Sequence, residues 1–189
     1  MRFERGAARQ VQYLPMPVRY TKAMLPVVTS DLEQRLARSL AEFPELADRT
    51  VTVGLTKRAD GTAEAEHMRI RLRVRRRQPV SYFTIGHELT HLLQTGGLGL
   101  VPGGEVQCDV WTLARSELFL DDAPSYLCRH LWSQAMWPHH AQRVRDFCLQ
   151  ALERRKTNRC YLVWLRDTIE RHITDMQARP ENREWFSLT

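Results

Sequence analysis

Apolar residues recur along the chain with two periods, and the change from one to the other organises it. Leu32, Leu36, Leu40 and Phe43 follow helical spacing after Thr29-Ser30-Asp31-Leu32-Glu33, where Ser30 and Glu33 fit a capping box, and Pro44 ends the run. Residues 50–56 are β-branched and apolar, and Ala59-Asp60-Gly61-Thr62 supplies turn chemistry. From 67 to 75 the alternation is strict: His67, Arg69, Arg71, Arg73 and Arg75 on one face, Met68, Ile70, Leu72 and Val74 on the other. A period of two predicts a strand with one buried face. Residues 1–28, with Pro15, Pro17 and Pro26 among short apolar runs, read as an extended arm with one edge strand.

From Pro79 the pattern turns helical. Phe83, Leu89, Leu92 and Leu93 form an apolar stripe, Pro79 suits the first turn, and Gly96-Gly97 stops the helix. A loop with Gly97, Gly99, Gly103 and Gly104 leads to a second helix over about 104–119, broken by Asp121-Asp122-Ala123-Pro124. Further helices are predicted near 125–136, 138–156 and 158–178, the last on Leu162, Leu165, Ile169, Ile173 and Met176, before a tail from Pro180. Strands first and helices afterwards predict an α+β fold. Its expected organisation is a core over 1–124 and a helical extension over 125–189 packed on it.

Composition adds two constraints. The 189 residues are 43% hydrophobic and 26% charged, as globular chains are, and no run approaches the length of a membrane span. The start MRFERGAARQ lacks the apolar run of a signal peptide, and Cys108, Cys128, Cys148 and Cys160 form no CxxC pair, so a cytoplasmic protein with reduced thiols and no membrane contact is expected. The net charge is +6, yet residues 81–125 carry one arginine against six carboxylates. An acidic centre between basic flanks suggests a cation site, with anionic partners at the edges.

Within that centre stands His87-Glu88-Leu89-Thr90-His91, an HExxH motif in a predicted helix. Residues four apart share a helix face, so both imidazoles can point at one ion, while Glu88 can hold a water without being a ligand. A catalytic zinc takes three protein ligands and keeps one position open. Glu105 is the best third ligand, and Asp109, one turn later, can accept a hydrogen bond from His87 and fix its tautomer. Cys108 reads as a small core thiol. Tyr126, His130 and His139 are candidates to stabilise an oxyanion, although Tyr126 also suits the core and His139 a solvated helix cap.

HELTH followed by ExxxD resembles the gluzincin class of zinc metallopeptidases. The short connection from His91 to Glu105 is similar to that of the single-domain minigluzincins, or of the metallopeptidase domain of the ImmA/IrrE group. The resemblance covers roughly residues 50–120. It implies one zinc ion held by His87, His91 and Glu105, Glu88 as general base, and Asp109 behind a ligand. It also implies that the strand over 67–75 is the edge strand above the cleft, taking a peptide by strand addition. With Arg69, Arg71 and Arg73 facing the groove, acidic substrates would be favoured. The C-terminal helices match no second domain of a larger gluzincin, so the residue stabilising the transition state stays open.

Two other function classes compete. One is a zinc-binding regulatory or interaction protein with weak or no catalysis. The other is a nucleic-acid-associated protein using Arg69–Arg77 and the basic C-terminal helices, a less favoured reading. A terminal segment could also shield the cleft: Tyr13, Leu14 and Tyr20 in the arm, or Trp185, Phe186 and Leu188 in the tail, where Glu181 or Glu184 could pair with the arginine row.

Overall fold

The computed structural model describes residues 18–178; the tail and the arm before Val18 lie outside the described residues, and with them Tyr13, Leu14, Trp185, Phe186 and Leu188, whereas Tyr20, also expected to shield the cleft, is half-buried against the core and does not line it. A short strand, β1 (Val18–Tyr20), precedes helix α1 (Ser30–Ala41). Strands β2 (Val51–Leu55), β3 (Gly61–Glu64) and β4 (Arg69–Leu72) follow, then helices α2 (Tyr82–Leu93), α3 (Glu105–Arg115), α4 (Trp137–Arg155) and α5 (Tyr161–Ala178). The cap of α1 is Thr29 rather than Ser30: its side chain accepts the Leu32 amide at 3.2 Å.

The fold is α+β. The sheet order is β1-β2-β4-β3, with β1, β2 and β4 parallel and β3 antiparallel to β4. Val51, Val53, Ile70 and Leu72 turn one sheet face onto Leu32, Leu36 and Leu40 of α1 and Ile85, Leu89 and Leu92 of α2. All of these are buried, which is the main driving force for the layer.

The arginine-rich strand is shorter than its alternation predicts, and it is not the edge. A 3₁₀ turn takes Ala65–His67, Met68 adopts φ +46°, and only Arg69–Leu72 is strand. With β2 on one side and β3 on the other, the backbone of β4 is fully paired. The edge on this side is β3, whose sequence reads as a turn, and the other edge is β1, within the arm expected to hold one. Gly61 and Ala63 pair with the buried Leu72 and Ile70 and so face α2, which leaves room only for small side chains. Glu64 shares the opposite face with the arginines and bridges Arg69 (2.9 Å) and Arg71 (2.6 Å).

Helices α3, α4 and α5 enclose a second apolar cluster, built from Val110, Leu113, Val144, Phe147, Leu165 and Ile169 with Phe83 of α2. The helical extension therefore packs on the core through α3. No helix spans 125–136. That segment holds only a 3₁₀ turn, Arg129–Leu131, and Cys128 sits at φ +51°. Its backbone groups are engaged elsewhere: Tyr126 and Leu127 donate their amides to Asp109, and the indole of Trp132 donates to the carbonyl of Leu127 (2.9 Å); the Trp137 indole donates to the carbonyl of Leu120 (2.8 Å), just before the segment.

Helix α2 meets α3 across Gly86. A Cβ at that position would lie 2.7 Å from the Phe119 ring and 2.9 Å from Thr112 Cγ2. Gly86→Ala is expected to lower stability by about 2 kcal/mol, the usual cost of overpacking a core. Urea denaturation should show a lower midpoint at unchanged slope; an unchanged midpoint would refute the close contact.

Candidate functional site

Helix α2 is held in register by two caps. Ser81 accepts the Thr84 amide at 3.1 Å, and Asp121 accepts the amides of Tyr82 (2.8 Å) and Phe83 (2.9 Å). The first-turn amides are thereby satisfied, and Pro79 lies outside the helix. Three turns of α2 then carry His87, Glu88 and His91, while α3 begins at Glu105 and carries Asp109 one turn later.

Each imidazole has a partner on its outer nitrogen. His87 Nδ1 meets Asp109 Oδ1 at 2.8 Å, and His91 Nδ1 meets Gln94 Oε1 at 2.9 Å. An acceptor at Nδ1 holds a proton on that nitrogen, so that a ring in its neutral form presents its Nε2 lone pair inward. Both Nε2 atoms converge on one oxygen, Glu105 Oε2, at 3.0 and 3.1 Å. His87, His91 and Cys108 also offer ligand atoms that all lie within 4.8 Å of one another, a group able to hold a metal ion. Cys108 Sγ approaches His91 at Nδ1 (3.2 Å), on the side away from Glu105.

Gln94 escaped the sequence reading. Its carbonyl fixes His91 and its amide donates to the carbonyls of Pro102 (2.7 Å) and Gly104 (3.0 Å), tying the loop to the start of α3. Its spacing three residues after His91 was the available signal. Gly61 was read as turn chemistry, but a Cβ there would lie 2.6 Å from Glu88 Cγ. Glycine at this point lets the Glu88 side chain lie against the edge strand.

The electrostatics follow from burial and pairing. Burial opposes a charge on His87, but its hydrogen bonds to Asp109 and Glu105 prevail and raise its pKa from 6.5 to about 9. The same hydrogen bond from His87 holds Glu105 below its ordinary value. Burial lifts Glu88 to about 7, helped by the charge of Glu105 and opposed by that of His87. Burial, followed by the nearby carboxylates of Glu105, Asp109 and Glu88, pushes the Cys108 thiol far up.

Above these side chains opens a cleft of about 770 Å³. Gly61, Thr62 and Ala63 of β3 line it, with His87, Glu88 and His91, and so do Tyr126 and Arg129 of the irregular segment. Tyr126 stacks on His87, with ring centroids 5.7 Å apart and planes at 21°. Glu88 Oε2 is buried without a hydrogen-bond partner among the described residues.

The other predicted site residues do not join this cleft. His130 is exposed and stands 3.9 Å from Glu170, and His139 lies exposed in the first turn of α4. Arg69 and Arg71 lie on the opposite sheet face with Glu64, and Arg73 lines a separate groove with Arg35 and Arg75. Of the three proposed oxyanion stabilisers, only Tyr126 is at the site. No protein-family model, no curated protein and no solved structure matches the chain.

Two outcomes are expected. An asparagine at 109 could still accept from the Tyr126 and Leu127 amides, but its NH2 group would face His87 Nδ1 and drive the proton to Nε2. Asp109→Asn should therefore fold yet bind a divalent cation about 10–100-fold more weakly, as loss of a carboxylate behind a ligand histidine does; unchanged affinity by competition titration would refute the tautomer assignment. The second concerns pH. In the metal-free chain His87 is raised from 6.5 to about 9, so its contribution to stability is complete below 6.5 and is lost as pH rises towards 9. A metal ion must displace that proton, so its affinity should rise about tenfold per pH unit over the same window. Melting curves with and without cation should diverge as pH increases, and parallel curves would contradict the arrangement.

Proposed function

We propose that this protein is a zinc metallopeptidase of gluzincin type, with His87, His91 and Glu105 as the ligands. The observation that carries the reading is the convergence of two imidazole Nε2 atoms on a single Glu105 oxygen, beneath an open sheet edge. Zinc bonds of about 2.0–2.2 Å place tetrahedral ligand atoms about 3.3–3.6 Å apart. The separations of 3.0 and 3.1 Å need only a small expansion to accept the ion. Glu105 is preferred to Cys108 because the thiol approaches His91 at the nitrogen already engaged with Gln94.

Bound there, zinc would polarise the scissile carbonyl and lower the pKa of the attacking water to ~7. Glu88, with one oxygen unpartnered and its pKa raised to about 7, suits proton transfer at neutral pH. It takes the proton of the attacking water and delivers it to the leaving amine. Asp109 and Gln94 hold the two imidazoles in the tautomer that a cation needs. Tyr126, stacked on His87 at the cleft wall, is the residue best placed to donate a hydrogen bond to the developing oxyanion. The free edge of β3 would receive an extended peptide.

The nucleic-acid reading draws less support, since Arg69 and Arg71 both pair with Glu64, which cancels half of their charge. A regulatory role without catalysis draws less support now that a tyrosine lines the cleft. No helix of the described residues is long and apolar enough to cross a membrane, and four free cysteines favour a cytoplasmic setting.

Glu88→Gln separates ligand from base. The variant should keep about one zinc per chain and lose at least about 10³-fold in hydrolysis of an unstructured peptide, because the amide accepts no proton. His91→Ala should lose the metal. Full zinc in the His91 variant, or undiminished hydrolysis in the Glu88 variant, would overturn the assignment.

A further inference from the structure

We infer that the cleft selects polypeptide segments rich in aspartate or glutamate, through Arg58 and Arg129 rather than through the arginine row of β4. The inference rests on the peptidase reading and adds its substrate class. The charged groups lining the cleft can be followed one by one. Asp60 is paired with Arg75 at 2.8 Å. Glu88 and Glu105 sit at the metal centre, where two carboxylates balance one divalent ion, and the histidines that ligate an ion are neutral. Two cations remain, Arg58 and Arg129, both exposed and neither joined to a carboxylate among the described residues.

Their positions suit substrate contact. Arg58 stands three residues before Gly61, on the loop that delivers the chain into β3, so it lies at one end of the edge a peptide would pair with. Arg129 follows Tyr126 by three residues, on the segment that Asp109 fixes from below. A chain laid along β3 thus passes a guanidinium from each of the two segments that wall the cleft. Guanidinium forks match carboxylates in bidentate geometry. Arg69 and Arg71 cannot serve, because they share Glu64 on the far sheet face.

The test uses full-length zinc-loaded protein carrying Glu88→Gln, which should bind peptide without cleaving it. The probes are a fluorescein-labelled decapeptide with glutamates at its four central positions and its glutamine counterpart, compared by anisotropy. The acidic peptide should bind about tenfold tighter at low salt, with the ratio shrinking as ionic strength rises. Adding Arg58→Glu and Arg129→Glu should bring the ratio to one or below, while zinc content reports that the centre is intact. Equal binding of the two peptides, or a ratio unmoved by the arginine changes, overturns the inference and leaves the peptidase reading standing. Binding of neither peptide, with no cleavage by the parent protein, removes both.

Discussion

A single buried carboxylate holds the functional half of the molecule together. Asp109 is fully buried in α3, and its two oxygens serve two different segments of the chain. Oδ1 fixes His87 of α2, and Oδ2 takes the amides of Tyr126 (2.6 Å) and Leu127 (2.7 Å) from the irregular segment. A buried charge is costly unless its lone pairs are satisfied, and here two of the three partners, His87 and Tyr126, also line the cleft. The carboxylate therefore couples three elements: the histidine helix, the glutamate helix and the segment that brings Tyr126 over the imidazole. Because that segment has little regular structure of its own, its conformation depends on this acceptor and on the Trp132 indole that pins the Leu127 carbonyl.

Much of this was legible in the residues. HExxH has a geometric meaning on a helix, and the ExxxD pair one loop later could only be brought back by a glycine-rich connection. Both readings rest on short-range periodicity, which the fold respects. Strands β3 and β4 were harder. The alternation from His67 to Arg75 is a correct signal for burial of Ile70 and Leu72, yet pairing on both sides and the left-handed Met68 cut the strand to four residues. β3 gave no signal of its own, because an edge strand against a helix needs small residues where a strand usually shows large ones.

The misread segment after Asp121 has the same origin. Tyr126, Leu127, Leu131 and Trp132 are spaced as a helix would space them, but the polar groups that decide their backbone are side-chain ones, Asp109 and the indole nitrogen of Trp132. Local sequence cannot report a hydrogen bond supplied by another element. Gln94 is the converse case. It acts three residues from the histidine it orients, within the same turn, so its role was accessible from spacing alone.

The short edge has a consequence for how the chain behaves in solution. A sheet edge open enough to accept another strand is equally open to a second copy of itself, which is the usual route to ordered aggregation. β3 offers only four residues, about 13 Å of backbone at the usual rise per residue. Gly61 weakens its intrinsic strand tendency, and the loop before it presents Lys57, Arg58 and Asp60 as exposed charges. An edge this brief and this charged grips an incoming chain through a few backbone bonds, too few to template a growing sheet. It can therefore stay accessible without a permanent cover.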